Sequence, residues 1–425
     1  MRIHALIVLL LTGLVAATFG FGIYLFAQLV PDMRASLGFD ISYVGSITAA
    51  GQFGFLLCAL FAAWITPRVG GGWVIFGSGV VCASALLLIP LTHNIVLIGV
   101  LLTVLAGTAA TVFVPMVEVI SRTVAFKYRG MAMGLVSSGT SYGVFINSLL
   151  VPLYAPQGEW RTVWWIVGSI TVVMALGVLV VFKRAQLLVS EPVSRNRTDP
   201  AARAGKAALK QPWVLTVWTM NFLLGFSTFP FQNYLSSYLR TELNFDVAYT
   251  AHIWASIGFV GMFAGLAVGW LSDRTGLRAA MLLVYACVAS AALIFVVHPS
   301  GHWPLVAGVL FAVAFYPVFG LIPAYVSKMA SSAALSVTIF GVANILQGVG
   351  GMIGNFCAGL LASFNGSFVG VYVAIALVAV LLAMLTLRLP REGGEATGAE
   401  PVQVNERQRC ADAGDAANDL QRHLT

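Results

Sequence analysis

The chain has 425 residues, of which 59% are hydrophobic and only 9% are charged, and its mean hydropathy is +0.90. Soluble domains are about 45–50% apolar and about 25% charged, so this composition excludes a protein whose whole surface faces water. Its apolar runs reach the roughly 20 residues that a helix needs to cross a bilayer, whereas the strands of a membrane barrel alternate apolar and polar residues. The composition therefore predicts an all-α integral membrane protein.

The net charge of +7 has no matching basic stripe on a segment that could fold in water, so we expect no nucleic-acid partner. The five cysteines include no closely spaced pair, which predicts neither a disulfide nor a metal site. The apolar run after Arg2 continues to Val30, so we expect a first membrane span here and not a cleaved signal peptide. Nothing in the sequence indicates a cofactor.

Polar breaks divide the chain into twelve predicted helices, at residues 5–30, 41–66, 72–92, 95–121, 130–153, 161–183, 212–239, 247–272, 279–298, 304–327, 336–363 and 368–388. We expect two six-helix bundles, at residues 1–183 and 212–389. A polar connector, residues 184–211, would join them, and a disordered tail, residues 390–425, would follow.

The Lys and Arg residues predict the orientation of the spans. Twenty of the 23 lie on the side that also holds both termini, and only Arg34, Arg161 and Arg240 lie on the other side. Because basic residues are enriched in cytoplasmic loops, we expect both termini in the cytoplasm and the protein in the plasma membrane.

The two halves of the chain are related in sequence. A shift of 206 positions aligns residues 34–70 with residues 240–276 without a gap, with twelve identities in 37 positions. Arg34 aligns with Arg240, Asp40 with Asp246 and Trp64 with Trp270, so the shared positions include polar ones. Both copies begin on the same side of the membrane, as in parallel repeats of secondary transporters, and the bundles would face each other across a central cleft.

The loop after the eighth span reads Gly-Trp-Leu-Ser-Asp-Arg-Thr-Gly-Leu-Arg, from Gly269 to Arg278. It resembles the G-x-L-[AS]-D-R-x-G-x-[RK] signature of the major facilitator superfamily at every defined position. Arg129-Gly130 and Trp160-Arg161 resemble the family more weakly, and the likeness covers residues 1–390. It implies twelve helices in two bundles and transport by rocker-switch alternating access.

The resemblance also implies a latch that favours the outward-open state. Its candidate residues are Gly269, Asp273, Arg274, Gly276 and Arg278, with Arg68 and Gly70 from the first-half copy of the loop. In that copy Pro67 replaces the acidic residue, so the second-half loop would carry the latch. The alternative is a tight, positively charged turn without a gating role.

Glu118 is the clearest ionisable side chain within a predicted span, and Arg122 lies one helical turn later. The pair is a candidate for proton coupling, with a structural ion pair as the alternative. Thr103 replaces the arginine found in many proton-driven drug exporters of the family, and no Pro follows Gly143, so drug–proton antiport is not favoured.

The resemblance implies that spans one, four, seven and ten line the cavity, with contributions from two, five, eight and eleven. The candidate lining residues are polar or aromatic side chains within these spans: Tyr24, Gln28, Gln52, Thr111, Asn147, Asn221, Phe229, Gln232, Tyr316, Asn344 and Gln347. The alternative for each polar residue is a hydrogen bond to a neighbouring helix.

No Lys or Arg lies near the centre of any span, so we expect a neutral, weakly charged or amphipathic organic substrate. The chain has no G-x-x-x-x-G-K-[ST] phosphate loop and no nucleophile or paired-carboxylate motif, which predicts a secondary transporter and not an enzyme. A monomer that uses protons as the coupling ion would fit this pattern. The alternative function is a transporter-like receptor that binds a solute without moving it.

Overall fold

The structure of the protein, a computed structural model, describes residues 2–124, 129–188, 209–330 and 333–391. These residues are almost all helical, with no strand among them, which confirms the predicted all-α class. Residues 189–208 of the predicted connector and 392–425 of the predicted tail lie outside the described residues.

The twelve predicted spans are present in chain order. Their bounds are α1 Ile3–Leu37, α2 Ile41–Val69, α3 Gly71–Leu88, α4 Ile95–Thr123, α5 in two segments, Arg129–Ser137 and Gly139–Tyr154, α6 Trp160–Arg184, α7 Pro212–Glu242, α8 Val247–Thr275, α9 Leu277–Val297, α10 Trp303–Met329, α11 Ala333–Asn365 and α12 Val369–Arg388. Eleven of the helices in the described part of the chain are continuous and apolar enough to cross a membrane, and α5 is the divided one.

Helix α1 is longer than the sequence indicated. It continues past residue 30 to Leu37 and ends at Gly38, whose φ of +71° favours glycine. The polar residues Asp32 and Arg34 suggested a loop, but both are partnered within the fold. Asp32 pairs with a residue of α7, and the Nε of Arg34 donates to the Phe39 carbonyl at 3.3 Å.

Close glycine contacts join α1 to α5. Residues Ala16–Tyr24 of α1 form a π-helix, which is rare and frequently found at functional sites. A Cβ added to Gly20 in this segment would lie 2.4 Å from the Cα of Gly143, and one added to Gly139 would lie 2.4 Å from the Thr12 carbonyl. Larger residues would push the two helices apart. The division of α5 thus falls directly before its closest approach to α1.

The helices form two six-helix bundles that meet along three helix pairs, α1–α7, α2–α11 and α5–α8. Backbone contacts bring the pairs close together. A Cβ on Gly45 of α2 would lie 2.9 Å from the Asn355 carbonyl and 3.2 Å from the Cα of Gly359, both on α11. A Cβ on Gly258 of α8 would lie 2.7 Å from the Phe145 nitrogen of α5.

We call the end of the protein that holds the start of α1 and the end of α12 the terminal end, and the opposite one the distal end.

The terminal halves of α2 and α8 carry exposed apolar stripes at equivalent repeat positions. Phe53, Leu57, Leu60 and Trp64 of α2 are matched by Phe259, Phe263, Leu266 and Trp270 of α8. The side chains of these stripes are about half exposed or more, so this side of each helix is not covered by other residues that the structure describes. The bundles are joined at the distal end and at mid-height.

Candidate functional site

Two buried amide side chains lie where α1 approaches α5. The Nδ2 of Asn147 donates to the Gly20 carbonyl at 2.8 Å, and the Nε2 of Gln28 donates to the Val144 carbonyl at 3.4 Å. A carbonyl can only accept, so these bonds fix the orientation of both amides. The Oδ1 of Asn147 and the Oε1 of Gln28 are buried and have no hydrogen-bond partner. The two helices therefore present two unsatisfied acceptors.

Two hydroxyls lie opposite each other where the bundles meet at mid-height. The Oγ of Ser141 on α5 and the ring of Tyr316 on α10 both adjoin Gly261 of α8, at 2.9 Å and 2.2 Å from the position that its Cβ would take. The two hydroxyls lie within reach of each other across the bundles, and neither bonds any other residue that the structure describes. One turn of α1 away from Gln28, Tyr24 packs edge-to-face on Phe315 of α10, with ring centroids 6.4 Å apart.

We call Gln28, Ser141, Asn147 and Tyr316 the central polar cluster. It draws residues from α1, α5 and α10 and so from both bundles. Leaving a buried polar group unpaired costs about 1–3 kcal/mol, and native proteins satisfy most such groups. The two amide oxygens are therefore candidates for water or ligand contacts, and the two hydroxyls bring polar side chains of both bundles together. The sequence predicted three of these residues and missed Ser141, whose lack of a helix-internal bond only the structure shows.

Further candidates lie on α7 and α11, which pack closely. Gln232 and Gln347 are buried, and each carries one unpaired polar atom, Oε1 and Nε2 respectively. Phe229 lies against Gly351, while Asn344 is exposed. Gln52 of α2 and Phe229 are both half-buried.

Thr111 and Asn221 lie inside single bundles. Thr111 on α4 accepts a hydrogen bond from the Ser78 hydroxyl of α3 at 2.7 Å. Asn221 donates to the Val217 carbonyl of its own helix and lies in a small cleft beside Met281 and Tyr325. Both side chains thus contact neighbours within their own bundle.

An ion pair joins the bundles at the distal end. The guanidinium of Arg240 on α7 donates to both carboxylate oxygens of Asp32 on α1, from Nη2 to Oδ1 at 2.7 Å and from Nη1 to Oδ2. The two side chains are only 16% and 8% exposed. Sequence reasoning missed this pair because its members are far apart in the chain. The signal was the presence of Arg240 among the few basic residues on its side of the membrane.

A second contact lies at the same end. The hydroxyl of Ser363 on α11 donates to the Oδ1 of Asp40, the residue before α2, at 3.4 Å. The same carboxylate caps α2 by accepting from the Ser42 nitrogen at 2.8 Å. These hydrogen bonds hold the pKa of Asp40 below its usual value, with the backbone bond from Ser42 contributing most.

The loops that follow α2 and α8 at the terminal end have the same geometry. Gly70 and Gly276 have φ of +95° and +88°, which favours glycine at these helix ends. Arg68 lies over the ring of Trp64 at 4.2 Å, and Arg274 lies over the ring of Trp270 at 3.8 Å. The predicted repeat thus extends to side-chain contacts.

The acidic member of the predicted latch is exposed in this conformation. Asp273 makes no hydrogen bond or ion pair with any residue that the structure describes. Arg278 donates to the Leu387 carbonyl of α12 at 2.7 Å, and Gly269 has open space around it. The loop is therefore attached to its own bundle through Arg278.

Glu118 and Arg122 form an ion pair at 3.5 Å near the end of α4. The Oε2 of Glu118 also lies 2.8 Å from the position of a Cβ on Gly71, the first residue of α3. A carboxylate beside a helix N-terminus is stabilised by the helix dipole. The contacts of Glu118 with Arg122 and with the start of α3 are therefore compatible with a structural role as well as with proton coupling.

Comparison with known proteins decides the family. The family model described as Major Facilitator Superfamily matches residues 12–355. The chain belongs to the Major Facilitator Superfamily. Among solved structures of the same fold, the nucleoside transporter NupG aligns with a TM-score of 0.71 at 13% identity, over 92% of this chain and 99% of that one.

Two of the three curated relatives described here are transporters by name. A probable nitrate/nitrite transporter, NarK2, of Mycobacterium tuberculosis is 26% identical over 58% of this chain, which spans only 60% of that protein. The cis,cis-muconate transport protein of Acinetobacter baylyi is 24% identical over 76% of this chain and 79% of its own length. A chloramphenicol resistance protein of Streptomyces lividans is 26% identical over 65% and 69%. The chain is thus a multi-pass membrane protein of a transporter family.

Proposed function

We propose that the protein is a secondary active transporter that moves a small organic solute by rocker-switch alternating access. The solute is neutral, weakly charged or amphipathic. The observation that carries the proposal is the central polar cluster, because Ser141 and Tyr316 bring polar side chains of both bundles together at mid-height. A solute held there would be released when the bundles separate on one side.

The charges of the site support this substrate class. The central polar cluster contains no Lys or Arg, and a strongly anionic solute would meet unpaired amide oxygens without a counter-charge. Two of the relatives named above are named for nitrate/nitrite or for muconate. The proposed substrate class therefore differs from those names.

We propose further that both termini face the cytoplasm of a cell with this protein in its plasma membrane. With that orientation, the distal contacts close the outer side, and the conformation is open to the cytoplasm. Residues 1–183 and 212–389 would move as two bodies in a monomer, linked by the cytoplasmic connector 184–211, with the tail 390–425 also in the cytoplasm. Labelling of single cysteines at exposed loop positions by an impermeant reagent in intact cells tests this orientation.

Asp273 is part of the proposed latch. It has no partner while the distal end is closed, so its contacts would form when the terminal end closes. Glu118 is the proposed proton-coupling residue, and its pairing with Arg122 supports the structural alternative equally. The two roles differ in their effect on uptake driven by a pH gradient.

Counterflow in proteoliposomes tests the transport function. Purified protein would first be screened for compounds that raise its melting temperature, since a ligand stabilises the state that it binds. Vesicles preloaded with such a compound should accumulate its labelled form, with saturation. Specific binding without accumulation would instead indicate a receptor on a transporter scaffold.

A further inference from the structure

Phenylalanine rings continue along α10 from its contact with the opposite bundle towards the terminal end. Phe315 is buried and packs edge-to-face on Tyr24 of α1, so this face of α10 faces the other bundle. Phe319 lies one helical turn nearer the terminal end, and its ring packs edge-to-face on that of Phe315, with centroids 5.1 Å apart. Phe319 is nevertheless 41% exposed. The opposite bundle therefore leaves this ring uncovered where it faces the cleft.

The internal repeat places a second such ring on α4. The shift of 206 positions that relates the two halves aligns Phe113 with Phe319. The same shift aligns Ser121 with Ser327, near the ends of α4 and α10. Phe113 is 36% exposed, and its ring lies edge-to-face on that of Phe19 of α1, with centroids 6.0 Å apart. Both bundles thus carry a partly exposed phenylalanine at equivalent positions.

Two further rings show that Phe113 also faces the cleft. Phe19 precedes Tyr24 in the π-helical segment of α1 by about one turn of such a helix, so both rings lie on the side of α1 that faces α10. Phe19 packs edge-to-face on Phe55 of α2, with centroids 6.1 Å apart. Phe55 is two residues from Phe53 of the exposed α2 stripe, a step of about 200° around the helix, so it lies on the opposite side of α2. The rings on α1, α2 and α4 therefore line one wall of the cleft.

From this placement we infer that the protein transports solutes that carry an aromatic ring, which packs between Phe113 and Phe319 when the terminal end closes. The inference rests on the proposed transport function and names its substrate class. Ring–ring contacts in edge-to-face or offset geometry add to the free energy that burial of apolar surface supplies. Tyr316 of the central polar cluster adjoins Phe315, with ring centroids 5.1 Å apart. Aromatic walls beside a few polar groups are typical of sites for small organic molecules.

Thermal-shift titration of the purified full-length protein with matched pairs of compounds tests the inference. The members of a pair carry the same polar group on an aromatic or a saturated ring: benzamide and cyclohexanecarboxamide, phenol and cyclohexanol, and benzoate and cyclohexanecarboxylate. We expect the aromatic member of at least one pair to stabilise the protein, with an affinity about tenfold higher than that of its saturated partner. Equal affinity within every pair, or no stabilisation by any aromatic member, would overturn the inference.

Leucine variants test the location of the ring contact. Phe113→Leu and Phe319→Leu keep an apolar side chain and remove the ring, so each should weaken binding of the aromatic compound about tenfold. Phe53→Leu and Phe259→Leu are matched controls and should leave the affinity unchanged, because this repeat-related pair is 50% and 55% exposed on the stripes of α2 and α8. Each shift is measured against the same variant without ligand, so a loss of stability does not imitate a loss of binding. Wild-type affinity in both Phe113→Leu and Phe319→Leu would overturn the inference.

Counterflow in proteoliposomes separates this inference from the proposed transport function. Counterflow of a saturated compound as fast as that of its aromatic partner would leave the transport function intact and overturn only the substrate class. Binding that depends on Phe113 and Phe319, without counterflow of the bound compound, would overturn the transport function on which the inference rests.

Discussion

The ion pair between Asp32 and Arg240 should hold the distal end closed, and Asp32→Asn should release it. The pair is nearly buried and bidentate. Removing one member of a buried pair costs about 3–5 kcal/mol, whereas exposed pairs contribute about 0–1 kcal/mol. For a pair at the edge of the bundles, with one side chain 16% and the other 8% exposed, we expect about 2 kcal/mol. In the distal-open state Arg240 would be hydrated, so the substitution would destabilise only the distal-closed state. The equilibrium should shift about 30-fold towards distal-open forms.

Spin labels on opposite bundles measure this shift. His93, between α3 and α4, and Ser300, between α9 and α10, are exposed at the distal end and suit labelling in a background without native cysteines. Pulsed electron resonance should show one short distance in the wild type and an added longer one in Asp32→Asn.

Matched controls separate the pair from a general charge effect. Arg34→Gln removes the repeat-related arginine, which bonds the Phe39 carbonyl beside it, and should leave the distances unchanged. Exchanging the two charges, Asp32→Arg with Arg240→Asp, should restore the short distance. Identical distance distributions in Asp32→Asn and the wild type would refute the role of the pair.

Three further predictions concern packing, latch and coupling. Gly225→Ala would place its Cβ 2.0 Å from the Gln347 carbonyl oxygen and should lower the free energy of unfolding by about 1–3 kcal/mol, measured by thermal melts. Gly348→Ala, whose Cβ would enter open space, should leave the stability unchanged. Equal melting temperatures for the two variants would contradict this prediction. Asp273→Asn should leave the melting temperature of this conformation unchanged and reduce substrate flux, and unchanged flux would remove the latch. If Glu118 carries the coupled proton, Glu118→Gln should abolish uptake driven by a pH gradient and leave exchange measurable, whereas loss of both would favour the structural ion pair.

The fold was largely predictable because membrane helices are set by runs of apolar residues. The positions of the twelve spans, the helical class and the duplication all follow from that pattern and from matching polar residues such as Asp40 and Asp246. The end of α1 was predicted too early because Asp32 and Arg34 look like loop residues until their partners are known. The division of α5 at Ser138 lies directly before the approach of α1 to Gly139, and no local pattern in the sequence indicates it.

The candidate site was predictable only in part. Polar residues in apolar spans indicated Gln28, Asn147 and Tyr316, but their hydrogen-bonding state depends on neighbours that are distant in sequence. Ser141 looks like any helical serine that bonds its own backbone. Asn221 looks like a cavity residue in the sequence, but its side chain donates to a carbonyl of its own helix.

Cross-linking of the distal end tests alternating access most directly. Asp40 and Ser363 lie in contact across the two bundles and are exposed, so Asp40→Cys with Ser363→Cys, in a background without native cysteines, can be oxidised to a disulfide. We predict that oxidation stops counterflow of a stabilising compound in proteoliposomes and that a reductant restores it, with each single variant unaffected. Undiminished counterflow through fully cross-linked protein would contradict the account.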